Sequence, residues 1–356
     1  MKVLYDGYIN HLQKAGGVNR YFSEIISRLP ATVRPTIFGT VKPSLHVPKH
    51  PCLRYASPPL GYRFLKSPIH WWCSSFQIFH PTYYHLTPPL EWSRIRPPIV
   101  LTVYDFVFSK FSEHYERSGK LLSAQTEAIK RADLILCISH STRADLLERF
   151  PECEERSVVI HLAANVPYVQ EMDRLHPKRY LLFVGARVFY KNFDLAVQSV
   201  LLLRNQGEDV DLVVAGPPWT SAEIDFLAQK KATDFVVHWE FPDDKKLAVL
   251  YRDAEALIYP SQYEGFGLPP LEAMTLGTPV LAMKISSLPE VVGAGGILVD
   301  PRESTPEAFA AAAAHLLQDS TFRSQLGEAA RSHAAGFHWD KAAAETFSAY
   351  ERAASL

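Results

Sequence analysis

A chain of 356 residues that is 47% hydrophobic and 21% charged is too apolar to be disordered and long enough for two buried cores. No apolar run approaches the roughly 18 residues of a membrane span, which argues against a helical membrane protein. The net charge of −1 hides an asymmetry: residues 1–110 carry 13 Lys and Arg against Asp6, Glu24, Glu91 and Asp105, a balance of +9, so the remaining 246 residues carry −10.

A basic N-terminal third calls for an anionic partner, such as a membrane surface, a lipid diphosphate or an acidic acceptor, or for acidic residues facing it elsewhere in the fold. Nucleic acid is not expected, because no nucleic-acid motif accompanies the charge. Cys52, Cys73, Cys137 and Cys153 form no C-x-x-C pair, and Cys137 sits in the apolar run Leu134-Ile135-Leu136-Cys137-Ile138 as a buried thiol. The chain opens on strand-like Lys2-Val3-Leu4-Tyr5, so no signal peptide is expected. A reducing, cytoplasmic location is expected, the inner face of a membrane included.

Lys2–Tyr5 reads as the first buried strand, followed by a loop containing Gly16-Gly17 and a helix over residues 18–29. Segment 41–75 is Pro-rich and aromatic. Its Arg63-Phe64-Leu65-Lys66 and Trp71-Trp72 read first as core aromatics under a long loop, and second as contacts with a bilayer interface. Residues 76–79, 99–104 and 134–138 are short apolar runs that read as further strands. A polar stretch over 163–177 is a linker. Beyond it Tyr180–Val184 is a strand, and Asn192 caps a helix with Phe193, Ala196, Val197, Val200 and Leu201 on one face. Residues 212–215, 235–238, Ala256–Tyr259, Val280–Met283 and 297–299 complete the strands, with helices in most of the gaps. Strands alternating with helices imply parallel sheets. The expected fold class is α/β, with two doubly wound Rossmann-like domains over 1–165 and 178–338 facing a cleft, and ligands at the carboxyl ends of the strands.

The densest chemistry lies in Glu264-Gly265-Phe266-Gly267-Leu268-Pro269-Pro270-Leu271-Glu272. Two carboxylates flank a Gly-rich turn that opens a helix, and Pro269 and Pro270 suit its first turn. Backbone N–H groups from Gly265 to Leu268 make a natural phosphate site there. Arg187 leaves the strand ending at Val184, and Lys191 stands four residues later; together they can clamp a diphosphate.

These segments resemble the E-x7-E and G-x-R-x-x-x-K motifs of the family-4 retaining glycosyltransferases of GT-B fold. The resemblance spans nearly the whole chain and is densest from Phe183 to Pro301. It implies that Glu264 faces a donor sugar, that Glu272 holds the ribose of the nucleotide, and that Arg187 and Lys191 neutralise the leaving diphosphate without a metal or other cofactor. It assigns Gly16-Gly17 to the N-terminal donor loop and lays the C-terminal helix Trp339–Ala354 back on the first domain. Val100-Leu101-Thr102-Val103-Tyr104-Asp105 resembles a strand that ends in His-Asp in the family. Tyr104 replaces that His, so Asp105 carries the expected catalytic role and His80 and Tyr104 join it as acceptor-side candidates. Ser141 is expected to cap the helix after Ile138, and 286–293 is read as mainly structural.

The same resemblance implies a retaining hexosyltransferase of cell-surface polysaccharide synthesis, with a saccharide or lipid-linked acceptor and GDP-mannose ahead of UDP-sugars as donor. A nucleotide-sugar 2-epimerase and a non-catalytic nucleotide-sugar-binding protein are the alternatives. Other patterns lead nowhere. Asp209-Val210-Asp211 runs into a buried strand, and His46-x-x-x-His50 is interrupted by Pro48, so no metal site is expected. Gly265-Phe266-Gly267 lacks the third Gly of a dinucleotide fingerprint.

Overall fold

The computed structural model describes residues 1–12, 16–39, 46–57, 66–115 and 118–356. The chain forms two compact units, one of Met1–Leu162 with His338–Leu356 and one of Ala163–Phe337.

Every described strand of the first unit is parallel: β1 (Lys2–Tyr5), β2 (Arg34–Phe38), β3 (Arg54–Ala56), β4 (Ile78–His80), β5 (Val100–Val103), β6 (Leu134–Cys137) and β7 (Ser157–Val159). They lie in the order β3-β2-β1-β4 and β5-β6-β7, with a bridge from Phe79 to Ile99 joining the two runs. Continuous burial along β5 and β6 reflects helices on both faces of a parallel sheet. Helix Trp339–Ala354 belongs to this unit. It buries Trp339, Ala342, Ala343, Thr346, Ala349, Tyr350 and Ala353, a stripe of helical period whose alanines allow close approach. Tyr350 Oη lies 2.9 Å from Tyr5 Oη and 2.7 Å from His80 Nδ1, fixing the helix to β1 and β4.

The second unit has β8 (Tyr180–Val184), β9 (Asp211–Gly216), β10 (Val236–Glu240), β11 (Ala256–Tyr259), β12 (Val280–Met283) and β13 (Gly296–Val299). Their order, β10-β9-β8-β11-β12-β13, is the doubly wound 3-2-1-4-5-6 arrangement, again all parallel. Leu181, Phe183, Val200, Leu212, Ile258 and Phe309 sit at the centre of its core. The strand order reverses between β8 and β11, so the loops after those two strands flank the crevice where such sheets bind ligands.

Several expectations need correcting. The strands β2, β3 and β7 were not anticipated. Trp71 is 82% exposed, so it is not a core aromatic; Arg63, Phe64 and Leu65 lie outside the described residues. Ser139, not Ser141, caps the helix His140–Arg149, accepting a hydrogen bond from the Thr142 N–H at 2.9 Å. The Cys137 thiol is buried as expected, and burial pushes it up to about 12, which leaves it unreactive. No helix among the described residues is long and apolar enough to cross a membrane.

Candidate active site

The switch point of the second unit brings together a Lys and a Glu from two loops and a Tyr from the end of β11. After β8 the chain runs through Gly185 at φ +124° and a tight 3₁₀ turn, Phe189–Lys191. Asn192 then enters the helix Phe193–Asn205 with left-handed backbone at φ 54° and no side-chain cap. It stands at the capping position as expected, but the backbone, not the side chain, makes the turn. Gln262 donates its N–H to the Tyr190 carbonyl at 2.7 Å and ties this loop to the one after β11.

Across that tie, Lys191 Nζ lies 2.5 Å from Glu264 Oε1 and 2.8 Å from Tyr259 Oη. The ammonium also sits 5.0 Å from the Tyr259 ring centroid. The Lys191 and Glu264 side chains are 15% and 11% exposed, so the pair is sheltered without being sealed. Burial, reinforced by the Glu264 charge, holds the Tyr259 phenol well above its usual range, so it stays protonated.

The Glu264 loop is held from behind by two serines. Ser286 Oγ accepts the Glu264 N–H at 2.9 Å, and Ser287 Oγ donates to the carbonyls of Glu264 and Phe266 at 2.9 and 2.7 Å. Ser286 itself takes φ 48°. Segment 286–293 is thus structural in a specific way: it fixes the backbone that carries the Glu264 carboxylate. Gly267 has φ +106°, and a Cβ there would also crowd Leu288 at 3.2 Å, so glycine is required before the helix Leu268–Thr275. Pro269 and Pro270 occupy its first turn. Glu272 points inward at 9% exposure and accepts the Tyr251 hydroxyl at 2.9 Å. The Phe266 side chain is buried, edge-on to Phe337.

Arg187 departs from the expected clamp beside Lys191. Its side chain is 2% exposed. Nε donates to Glu223 Oε1 at 2.6 Å, and Nη2 donates to Glu223 Oε2 and to the carbonyls of Pro217 and Pro218. The guanidinium stacks 4.2 Å from the Trp219 ring centroid, while Nη1 is buried without a partner. Glu223 was missed, although Thr220-Ser221-Ala222-Glu223 spells a capping box at the helix Ser221–Gln229, and both of its bonds form. Burial raises the Glu223 carboxyl, but bonds from Arg187 and Thr220 outweigh that and keep it below the usual range.

In the first unit the candidates have different surroundings. His80, expected on the acceptor side, is fully buried, with Nδ1 against Tyr350 Oη and Nε2 2.9 Å from Thr102 Oγ1. Burial drives its pKa down to about 3, so it is a neutral core histidine and not a cation for a ligand. Tyr104 is also buried, donating its hydroxyl to the Thr82 carbonyl at 3.4 Å. Asp105 is half-buried at the end of β5; its Oδ1 accepts the Val107 N–H at 3.0 Å and starts the turn after it. Gly16 is extended backbone, and its carbonyl accepts from Arg20 N–H as the helix Gly17–Arg28 begins.

Asp6 was overlooked, although it directly succeeds the first strand. It is fully buried and accepts from Thr82 N–H and Oγ1, Thr87 N–H and Tyr8 N–H. Burial pushes its carboxyl up to about 6 against those four bonds. Asp209-Val210-Asp211 does not converge on a metal position: Asp211 is tied to His176 and Arg204, and Asp209 faces Lys178.

Comparison with known proteins adds a family to this geometry. The family described as Glycosyl transferases group 1 matches residues 170–333, and Glycosyltransferase Family 4 matches residues 15–166. The chain is 28% identical over 289 residues to the O-antigen chain mannosyltransferase B of Escherichia coli, across 77% of this chain and 74% of that one. It is 30% identical over 234 residues to the MMP alpha-(1->4)-mannosyltransferase of Mycolicibacterium hassiacum, across 64% of this chain and 56% of that one. Among solved structures, the sucrose-phosphate synthase of Thermosynechococcus elongatus matches with a TM-score of 0.77 at 20% identity, over 99% of this chain and 98% of that one. That last likeness is one of fold.

Proposed function

We propose that this chain, which belongs to the group 1 and family-4 glycosyltransferases and has their GT-B fold, moves mannose from GDP-mannose to a hydroxyl of a saccharide or lipid-linked acceptor, with retention at the anomeric carbon. The observation that carries the reading is the Lys191–Glu264 pair at the switch point of the second unit, where a doubly wound sheet takes its ligand. Two relatives named as mannosyltransferases support mannose, and the O-antigen relative supports cell-surface polysaccharide synthesis.

Lys191 Nζ meets the charge that grows on the diphosphate as the glycosidic C–O bond breaks, a contribution worth most in a sheltered site. Glu264 then exchanges its ammonium partner for hydroxyls of the sugar. The N–H groups at Gly265 to Leu268 add donors to a phosphate at the helix N-terminus, and Glu272 accepts from the ribose. The new bond joins the acceptor oxygen to the anomeric carbon. A donor phosphate oxygen takes the acceptor proton, so neither a protein base nor a metal is needed. Arg187 braces the Gly185–Lys191 loop through Glu223 and does not share the anion with Lys191. Asp105 is the acceptor-side candidate of the first unit.

The test is thermal unfolding with GDP, UDP, ADP and dTDP, each with a chelator. GDP at about 100 times its dissociation constant should stabilise the protein by about 2.7 kcal/mol. A shift from UDP alone would replace the donor. No shift from any nucleotide or nucleotide-sugar would remove the transferase site from this switch point.

A further inference from the structure

The amino ends of three adjacent strands in the first unit carry Lys2, Arg34 and Arg54. The parallel register sets Lys2 beside Arg34 and Arg54 beside Thr36, so the cations form a row across β1, β2 and β3. They line one groove with Thr36, Trp72 and Ser75. All three are exposed, none takes part in an ion pair, and no Asp or Glu lines the groove among the described residues. Like charges set side by side on neighbouring strands oppose folding. No described residue of the unit compensates them, which points to an anion from outside.

Beside this row the helix Lys66–Cys73 buries Ile69, His70 and Cys73 and turns Trp71 outward at 82% exposure. Tyr55, on the edge strand β3, is 46% exposed. Exposed Trp and Tyr next to unpaired cations match the membrane–water boundary, where aromatic rings settle at the level of the headgroups. A small soluble anion would use the groove but has no use for an indole standing outside it.

We infer that this face docks on an anionic phospholipid membrane, with Lys2, Arg34 and Arg54 taking headgroup phosphates and Trp71 entering the interface. The excess of +9 over residues 1–110 adds longer-range attraction of the same sign. The row sits at the amino ends of the strands, whereas Asp6, His80 and Asp105 stand at carboxyl ends. Docking therefore leaves the carboxyl end of this sheet uncovered. The inference holds whichever sugar is transferred.

Flotation of the full chain with vesicles tests it, using phosphatidylcholine alone and phosphatidylcholine mixed with phosphatidylglycerol. Binding should require phosphatidylglycerol and weaken as salt rises. Each cation should contribute roughly fivefold, so Lys2→Gln/Arg34→Gln/Arg54→Gln should lose on the order of 10²-fold. The thermal midpoint of that variant should not fall and should rise slightly, because the three side chains make no ion pair and their mutual repulsion is relieved. Brominated lipid should quench part of the tryptophan emission in the wild type and less of it in Trp71→Phe. Equal binding to both vesicle types, or full binding by the triple variant, would overturn the proposal. So would displacement from vesicles by inorganic phosphate at constant ionic strength, which would show a free-anion site.

Discussion

The two units share a parallel, doubly wound sheet, yet they use the polar residues at their strand ends in opposite ways. In the first unit, Asp6 and His80 are fully buried and every strong hydrogen-bonding position is taken: Asp6 by Tyr8, Thr82 and Thr87, His80 by Tyr350 and Thr102. In the second unit, Lys191 and Glu264 keep 15% and 11% exposure and hold each other in a contact that a ligand can replace. Position at a carboxyl end is therefore not enough to make a site. Access and a replaceable partner are also required.

The largest expected effect breaks the comparison at its active side. Lys191→Ala should lower kcat/KM roughly 10²- to 10³-fold, by analogy with loss of one oxyanion donor. The melting temperature should fall only modestly, for about 1–3 kcal/mol, because the sheltered Glu264 carboxylate loses its partner but keeps some access to water. Steady-state kinetics beside a thermal melt reads both. A large fall in stability with unchanged turnover would mean that Lys191 belongs with the scaffold.

His80→Ala should show the reverse. It empties a buried ring position and strands Tyr350 and Thr102, for about 3 kcal/mol of stability. Denaturant unfolding with activity measured on the folded fraction checks this, and loss of turnover at full stability would restore His80 to the acceptor side.

Acid should sharpen the contrast. His80 falls from 6.5 unfolded to about 3 folded, so its stabilising effect is complete above pH 6.5 and is lost as the pH drops towards 3. Asp6 rises from 3.8 to about 6, so its contribution is complete below pH 3.8 and is lost as the pH climbs through 6. Between pH 6 and 4 the two nearly cancel, at about 1.4 kcal/mol per pH unit each. Stability of the wild type should change little from this pair. Relative to wild type, His80→Gln should gain up to about 3 kcal/mol over the same range as Asp6 acts alone. Unfolding curves at pH 6, 5 and 4 decide it, and parallel behaviour of the two proteins would refute the assignment. The smallest effect belongs to Glu272→Gln, which keeps the Tyr251 bond but drops the charge and should weaken GDP binding about tenfold, near 1.4 kcal/mol. Calorimetry would detect that change, and unaltered GDP affinity would separate Glu272 from the ribose.

Much of the second unit is legible in the sequence because its strands are uninterrupted apolar runs. Tyr180–Val184, Ala256–Tyr259 and Val280–Met283 are buried at every position. The first unit hides more. Pro35 stands inside β2, where proline argues against a strand. Strands β3 and β7 have three residues each, on the sheet's edges, too short to show a pattern. The glutamates and Lys191 could be picked out from motif and loop position, but their partners could not. Arg187 meets Glu223 across 36 residues and His80 meets Tyr350 across 270, and tertiary packing alone sets such pairs. The diphosphate clamp expected of Arg187 and Lys191 rests on spacing and on the family motif, and neither can tell which way a guanidinium turns.

The most direct measurement is calorimetric titration of GDP, with chelator present, into the wild type, Lys191→Ala and His80→Gln. The account predicts that Lys191→Ala loses on the order of 10²-fold in affinity, while His80→Gln binds GDP like the wild type. Equal affinity in Lys191→Ala, or a comparable loss in His80→Gln, would contradict a donor site centred on Lys191 and Glu264.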